Sequence, residues 1–420
     1  QRQLTMTPNG ALFKTTKRGF LPELMETIYN DRVQYKKLML QSKQEYENTK
    51  DPKLLKDISK YNNIQMAKKI SLNSAYGAIG NEYFRYYDLL IAEGITTAGQ
   101  LSIRWIENKI NQYMNKLLDT KDKDYVIASD TDSIYVTFEG LIEKYKPKSP
   151  VDFLDIVAKE KIEPYIDKSY QELANYTNAY AQKMQMKREV IADKGIWTAK
   201  KRYILNAHDV EGVRYKEPQL KIMGIEAVKS STPAPCRQKI KDALQIIMSG
   251  DEKMLNSFIK KFRDDFMKLN PEDIAYPRSV NGVSKYTDNS SGHDVSINLL
   301  DMKQEIVQYN LFKKRAPIHV KGAILYNHLV EKHKMNNKLV YIQEGDKIKF
   351  LHMKEPNVYQ SSSISFVTEL PKGLGLHEMV DFELQFEKSF IEPLRFITDK
   401  VLWRIDDSYG QQGTLEDFFG

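Results

Sequence analysis

The sequence predicts an α+β fold, and two patterns support that prediction. Long stretches with apolar residues at helical spacing come first in the chain, and short apolar, β-branched segments separated by turn residues follow. Helices and strands therefore occupy different stretches, which favours helices packed on an antiparallel sheet. The 420 residues are enough for two or three domains of ordinary size.

The first part of the chain is predicted to be mostly helical. Asp51-Pro52 interrupts a long amphipathic stretch, so two helices joined by a short turn are expected to form an αα-hairpin. Gly77 then ends the second helix, and a third follows. The three predicted helices lie at residues 21–48, 53–75 and 92–118.

A β-hairpin is predicted at residues 125–138, where apolar residues flank the polar tip Asp130-Thr131-Asp132-Ser133. Side chains two apart on a strand point to the same face, so the carboxylates of Asp130 and Asp132 should stand together. Like charges so placed favour a bound cation, and Mg²⁺ takes carboxylate oxygens. For an isolated Asp-Thr-Asp-Ser, the more common interpretation is an ordinary solvated turn.

The rest of the chain is expected to contain shorter elements. A helix should lead into two strands, then two more helices, a polar loop and finally short strands. In the same order, these elements are predicted at residues 151–178, 184–192, 202–216, 234–248, 251–268, 281–296 and 340–351.

Composition limits the classes of protein to consider. The single cysteine, Cys236, excludes an internal disulfide and a cysteine-based zinc site and suits a reducing compartment. No apolar run is long enough for a membrane span, and the N-terminus does not read as a signal peptide. The net charge of +7 is mild, but residues 183–202 hold seven Lys or Arg and two acids. Such a basic segment suits a phosphate backbone or a solvated face.

Three motifs in a fixed order carry a resemblance to a known family. Lys69-Ile70-Ser71-Leu72-Asn73-Ser74-Ala75-Tyr76-Gly77 precedes the Asp-Thr-Asp-Ser tip, and Lys200-Lys201-Arg202-Tyr203 follows it. This order resembles family B DNA polymerases, and the segments between the motifs are most similar to the replicative enzymes of T-even bacteriophages. The likeness covers nearly the whole chain and is weakest at about 235–380.

The resemblance implies a right-hand architecture with helical-hairpin fingers, an antiparallel-sheet palm and a mostly helical thumb. It also implies boundaries, with fingers at 1–81, a partial palm at 82–224, a thumb at 225–410 and a clamp-binding tail at 411–420.

The implied activity is template-directed transfer of a nucleotide from a dNTP to a primer 3′-hydroxyl, with two Mg²⁺ ions. Asp132 would bind metal directly and Asp130 would be its close neighbour. Glu189 matches the position of an acidic residue near the metals, although a glutamate on a strand surface would look the same.

The resemblance also assigns residues to the nucleotide and to the primer–template DNA. Arg32, Lys36 and Lys69 would bind the triphosphate, although Arg32 or Lys36 alone is also typical of a solvated helix charge. The remaining implied residues are Asn73 and Tyr76 in the base-pair pocket, and Gly77, Lys200, Lys201, Arg202 and Tyr203 along the DNA.

The last nine residues resemble a peptide that binds a sliding clamp. One helical turn would bring three apolar side chains to one side as a plug for an apolar pocket. A tail docked on its own domain is the alternative. The residues concerned are Gln412, Leu415, Phe418 and Phe419.

Two departures from the family pattern affect the functional prediction. Ala128-Ser129 stand where the family has Tyr-Gly. More important, no segment matches the earlier motif Asp-x-x-Ser-Leu-Tyr-Pro-Ser, whose aspartate binds both metals, and the exonuclease acids are missing too. We therefore expect an N-terminal polymerase half to act as a partner, in the cytoplasm of a bacterial host.

Two other functions remain as alternatives. The chain could be a non-catalytic module that binds DNA and a sliding clamp. A reverse transcriptase or RNA polymerase could also carry an Asp-Asp hairpin, but the motif at 69–77 and Lys200-Lys201-Arg202-Tyr203 speak against it.

Overall fold

A computed structural model describes residues 3–287, 296–297, 306–307, 311–313 and 315–406. The chain divides into two compact units. The first comprises residues up to 195 together with 205–221, and the second comprises 196–204 and the chain from 222 onward. The finer division into fingers, palm and thumb stays a prediction.

The first unit begins with a small hairpin and three helices. The hairpin pairs its two strands antiparallel, with Thr5 opposite Phe13. The Asp88 side chain caps the third helix by accepting a hydrogen bond from the Ile91 N–H. These elements are β1 (Leu4–Met6), β2 (Leu12–Lys14), α1 (Phe20–Thr49), α2 (Lys53–Ile79) and α3 (Leu89–Leu118). The predicted αα-hairpin and third helix are confirmed, but Gly77 does not end the second helix, because α2 continues to Ile79.

The core of the first unit lies between α3, the predicted β-hairpin and the helices after it. Ile106, Ile110 and Met114 recur at helical spacing on α3 and are fully buried. They pack in one cluster with Tyr125 and Val126. The elements that follow α3 are β3 (Val126–Asp130), β4 (Ser133–Val136), α4 (Glu139–Tyr145), α5 (Pro150–Val157) and α6 (Glu163–Tyr176). The helix predicted at 151–178 is interrupted, because a π-helical turn at Ala158–Ile162 separates α5 from α6.

A three-stranded sheet follows in the order β5-β6-β7, with strands at Val190–Ala199, Arg202–Val210 and Val213–Met223. Tight two-residue turns join its strands, and both turns contain residues with positive φ. The strand predicted at 184–192 was mostly wrong, since the observed strand starts at Val190 and continues through Gly195. A glycine there reads as a breaker in the sequence, but the ladder tolerates it.

The second unit combines helices with a second antiparallel sheet. Leu255, Ile259, Phe262 and Phe266 form the buried stripe of α8. The elements of the second unit after β7 are α7 (Ala234–Ser249), α8 (Glu252–Phe266), α9 (Pro271–Ile274), β8 (Tyr276–Ser279), α10 (Val283–Tyr286), β9 (Ser296–Ile297), β10 (Ile306–Val307), α11 (Ile318–Lys332), β11 (Lys347–His352), β12 (Ser363–Phe366), α12 (Phe382–Phe386) and α13 (Glu392–Thr398). The sheet order is β12-β11-β8.

The predictions for this unit are partly confirmed. Both helices at 234–248 and 251–268 are found, but only one of the short strands expected at 340–351 is present, as β11. The predicted loop at 281–296 contains the short helix α10, so it is not wholly irregular. In the described part of the chain, no helix is both long and apolar enough to cross a membrane.

Candidate functional site

The Asp-Thr-Asp-Ser segment forms the tip of the β3–β4 hairpin, as its sequence predicts. Asp130 pairs with Ser133, so Thr131 and Asp132 are the two turn residues, and Thr131 adopts φ 55°. The Asp132 N–H donates to the Asp130 carbonyl at 2.6 Å. The Thr131 hydroxyl donates to the Asp130 carboxylate at 3.0 Å. The turn is thus stabilised by groups of its own tetrapeptide.

The two aspartates differ in their surroundings. Asp132 is exposed and Asp130 is half-buried. Burial, together with the nearby negative charge of Asp132, raises the pKa of the Tyr170 hydroxyl to about 12. The carboxylate of Asp132 therefore lies near the buried Tyr170 on α6, at the edge of the core.

The donor chemistry of the hairpin tip fits Mg²⁺, which is usually bound by one or two carboxylates, with water and substrate phosphates completing its shell. Glu189 lies just before β5 and forms an ion pair with Lys221 at 2.6 Å. Among the described residues, no group of three or more His, Cys, Asp or Glu is arranged to hold a metal ion. A role for Glu189 beside the aspartates stays a prediction.

The helical hairpin explains how cations from two helices share one side. Asp31 of α1 contacts Lys68 of α2, with 2.8 Å between Oδ2 and Nζ, and the rings of Tyr35 and Tyr61 lie 6.4 Å apart. Each next residue on a helix is rotated by about 100°. Because the helices are antiparallel, this rotation has opposite senses when both are viewed from one end.

The residues that follow these contacts therefore project from the same side of the hairpin. Arg32 and Lys36 follow Asp31 and Tyr35 on α1, and Lys69 follows Lys68 on α2. The three predicted triphosphate ligands thus share one side.

On α2 the same side is an exposed stripe. Lys69, Asn73, Tyr76 and Gly77 are all exposed and lie at helical spacing. A methyl group added at Gly77 would have no neighbouring atom within 4 Å. Sequence analysis missed two apolar members of the stripe, at the same spacing, which are 40% and 60% exposed: Met66 and Ile70.

The three cations differ in how far the fold already uses them. Lys36 forms an ion pair with Glu211 in the β6–β7 turn, at 2.6 Å. The Arg32 Nε–H is shielded from solvent and, among the described residues, has no acceptor. Lys69 is exposed, and no other described residue forms a hydrogen bond or ion pair with its ammonium group.

The Lys-Lys-Arg-Tyr segment lies at the β5–β6 turn. Lys200 and Lys201 are exposed there, and Lys201 adopts φ 62°. Arg202 forms an ion pair with Glu226 at 2.6 Å, and its guanidinium lies 4.9 Å from the centre of the Phe396 ring. Tyr203 is only 8% exposed.

Arg202 and Tyr203 are therefore part of the fold of the second unit. The backbone at Gly224 passes close to this turn, since an added Cβ would lie 2.1 Å from the Lys201 carbonyl oxygen.

A buried ion-pair network beneath the β6–β7 turn was not predicted from the sequence. Asp209 accepts hydrogen bonds from Arg188, from Arg214 and from the Gly212 N–H. The Arg214 N–H in turn donates to the Gln44 side chain of α1 at 2.8 Å. The neighbours of Asp209 in the sequence, His208 and Val210, do not predict this role, because the sheet brings its partners to it.

The four residues predicted to bind a sliding clamp, Gln412, Leu415, Phe418 and Phe419, lie outside the described residues. Their role stays a prediction.

Comparison with known proteins agrees with the motifs. A family model described as DNA polymerase family B matches residues 1–150. The chain is 30% identical to the DNA-directed DNA polymerase of Enterobacteria phage T4, over 100% of this chain and 50% of that protein. It is 33% identical to the DNA-directed DNA polymerase of Escherichia phage RB69, over 98% of this chain and 49% of that protein.

A third relative matches a shorter part of the chain. The DNA polymerase delta catalytic subunit of Caenorhabditis elegans is 34% identical over 31% of this chain and 12% of that protein. The chain spans about half the length of the two phage relatives. The region matched by the family model contains both Lys69–Gly77 and Asp130–Ser133, and the phage similarity covers almost all of the chain. The chain is therefore similar to family B of the DNA polymerases, both in the region that holds two of its motifs and across its length.

Proposed function

We propose that the chain is the part of a DNA-directed DNA polymerase that binds the incoming dNTP and the primer–template and supplies two of the catalytic aspartates. The observation that carries this proposal is the shared side of Arg32, Lys36 and Lys69 on the helical hairpin. A triphosphate needs several cations that converge from one direction, and two helices supply them here.

The hairpin stripe would hold the nucleotide. Lys69 would bind phosphate oxygens, and Asn73 and Tyr76 lie further along the same exposed side, where a base pair would contact them. Arg32 would use its shielded Nε–H for an anionic acceptor. Lys36 would first have to leave Glu211.

Asp130 and Asp132 would hold Mg²⁺ at the reacting phosphate. When bound, a pair of Mg²⁺ ions activates the primer 3′-oxygen and stabilises the leaving pyrophosphate. The hydrogen bonds within the turn keep both carboxylates at the hairpin tip. Glu189 would add a third acid only if its ion pair with Lys221 opened.

The DNA contacts would lie at the β5–β6 turn. Lys200 and Lys201 would follow the backbone of the primer–template, because such contacts position the duplex without reading sequence. Arg202 and Tyr203 would act indirectly, by stabilising the turn that presents the two lysines. Gly77 would allow the template to pass close to α2.

The remaining parts of the proposal concern partners. The missing aspartate of the earlier palm motif would come from a polymerase segment outside these 420 residues. The tail at 412–419 would bind a sliding clamp, and the protein would act in the cytoplasm of a bacterial host. If the missing segment were never supplied, a non-catalytic DNA- and clamp-binding role would remain.

Primer extension with Mg²⁺ tests the proposal. The purified chain alone should give no product. Adding a segment with the Asp-x-x-Ser-Leu-Tyr-Pro-Ser motif should restore extension. The Asp132→Ala variant should then lose at least about a hundredfold in rate, because a metal ligand supplies several kcal/mol.

Asp122→Asn is the matched control for Asp132→Ala. Like Asp132, Asp122 is an exposed aspartate, and asparagine tolerates its φ of 50°, so the rate should not change. Extension by the chain alone, or a near-normal rate for Asp132→Ala, would contradict the assignment of the active site.

A further inference from the structure

Each helix of the αα-hairpin has only one buried side chain. These are Met39 on α1 and Gln65 on α2, which are 4% and 6% exposed. Large apolar side chains such as Leu38 and Leu55 remain 41% and 48% exposed. A core this thin gives little energetic preference for one alignment of the helices over another, because alignment is normally set by interlocking apolar side chains.

The contact between Asp31 and Lys68 is directional and joins the two helices. The ammonium group of Lys68 lies 2.8 Å from the carboxylate of Asp31 and 5.9 Å from the centre of the Tyr35 ring. Both partners are on α1, one turn apart. This double contact fixes where Lys68 lies along α1 and which way it faces.

The alignment matters because each partner is the immediate neighbour of a predicted phosphate ligand. Asp31 precedes Arg32, and Lys68 precedes Lys69. A shift of α2 by one residue moves it about 1.5 Å and turns the presented side by about 100°. Lys69 would then no longer face the side that carries Arg32 and Lys36.

We propose that Asp31 and Lys68 are positioning residues, whose ion pair sets the alignment of α1 and α2 and thereby holds Arg32, Lys36 and Lys69 at one triphosphate. This inference rests on the proposed function of the hairpin side. Neither residue touches the nucleotide in this account. They act through their neighbours.

When Asp31 is replaced, the proposal and a simple charge effect predict opposite changes in triphosphate binding. Asp31 is a negative charge beside an anion site, so removing it should strengthen triphosphate binding if only the electrostatic field mattered. If Asp31 sets the alignment, removing it should weaken binding. Asp31→Asn and Asp31→Lys therefore separate the two explanations by direction.

The experiment is an equilibrium titration of a dNTP with Mg²⁺ into the full chain bound to a primer–template that ends in a dideoxynucleotide. Asp31→Asn should weaken dNTP binding about three- to fivefold, the range of one partly exposed ion pair. Asp31→Lys should weaken it about tenfold, because repulsion adds to the lost attraction. The exchanged pair, Asp31→Lys with Lys68→Asp, should restore binding to within about twofold of the wild type.

A matched control pair exists between α3 and α6. Lys109 and Glu172 are 2.7 Å apart and 27% and 46% exposed, against 26% and 49% for Lys68 and Asp31. Lys109 also lies over an aromatic ring, that of Trp105. Glu172→Gln and Glu172→Lys should lower stability as much as the Asp31 variants do and leave dNTP affinity unchanged.

Two further readouts separate positioning from a general loss of structure. The affinity for primer–template should stay constant in the Asp31 variants, and their thermal unfolding should match that of the Glu172 variants. Lys69→Ala tests the proposed function on its own. If it leaves dNTP binding unchanged, the proposed function and this inference both fail.

If Lys69→Ala weakens binding but Asp31→Lys leaves it unchanged or tighter, the inference alone is overturned. The same holds if the exchanged pair fails to restore binding although it folds normally.

Discussion

The helical hairpin and the β5–β6 turn were both predicted to bind phosphates, and they use their cations in different ways. On the hairpin, Lys69 is exposed and shares a side with Arg32 and Lys36. At the turn, Arg202 lies between Glu226 and Phe396. A basic motif therefore indicates positive charge, but long-range partners decide how much of that charge is available to a ligand.

The difference follows from the type of element. Lys69 lies on the exposed side of α2, where no other described residue binds its ammonium group. Arg202 is the first residue of β6, and its side chain contacts Glu226 and Phe396. Lys201, which precedes it, is an exposed turn residue. The two segments therefore need different experiments.

The largest expected effect is on the stability of the β5–β6 turn. Gly224→Ala should lower the free energy of unfolding by about 2–4 kcal/mol, because the new methyl group meets the Lys201 carbonyl and φ is 67°. Chemical denaturation measures this directly. Gly212→Ala is the control, with φ 89° and no atom within 4 Å, and should cost only about 1–2 kcal/mol. Equal losses would mean that Gly224 is needed only for its backbone conformation.

The second effect compares cations on the hairpin. Lys69→Ala should weaken dNTP binding about tenfold, since it removes an exposed cation aimed at the triphosphate. Lys36→Ala should cost less, because Lys36 must first break its ion pair with Glu211 to bind phosphate. Nucleotide titrations of the two variants decide. A larger loss for Lys36→Ala would show that Glu211 does not compete for it.

The third effect compares neighbours at the turn. Arg202→Ala should lower the unfolding free energy by about 1–2 kcal/mol through loss of the Glu226 pair and the Phe396 contact. Lys200→Ala should leave stability within about 0.5 kcal/mol. It should instead reduce the slope of the log–log salt plot for duplex binding by about 0.9.

Denaturation and DNA titration at several salt concentrations measure both quantities. Arg202→Lys keeps the charge but loses the planar guanidinium, so it should behave like Arg202→Ala in stability. A flattened salt dependence in Arg202→Ala, with normal stability, would place Arg202 on the DNA instead.

Local patterns predicted much of the fold. The three long helices and the Asp-Thr-Asp-Ser hairpin follow from spacing and turn residues within a few positions of each other. The end of β5 was missed because Lys194-Gly195 resembles a loop, and the interruption of the helix at 151–178 leaves no clear mark in the sequence.

The candidate site was less predictable, because its decisive contacts join residues far apart in the chain. The folded sheet brings Lys36 into contact with Glu211 and Arg202 into contact with Glu226. The sequence motifs identified the cations, but they did not identify the two acids that form these ion pairs. The closeness of Gly224 to the Lys201 carbonyl depends on the β5–β6 turn, so the residues around Gly224 do not predict it.

Thermal unfolding with and without a dNTP and Mg²⁺, in the presence of primer–template, shows whether the helical hairpin binds the nucleotide while the β5–β6 turn stabilises the fold. A bound ligand adds about 2.7 kcal/mol to the free energy of unfolding when its concentration is a hundred times its Kd. The ligand-free melting temperature therefore reports the stability of the fold, and the increase with ligand reports binding at the site. Lys69→Ala should keep the ligand-free melting temperature and lose about half of the ligand's stabilisation. Arg202→Ala should melt earlier and keep that stabilisation. The reverse pattern, or full stabilisation of Lys69→Ala by the dNTP, would contradict the assignment of the hairpin to the nucleotide.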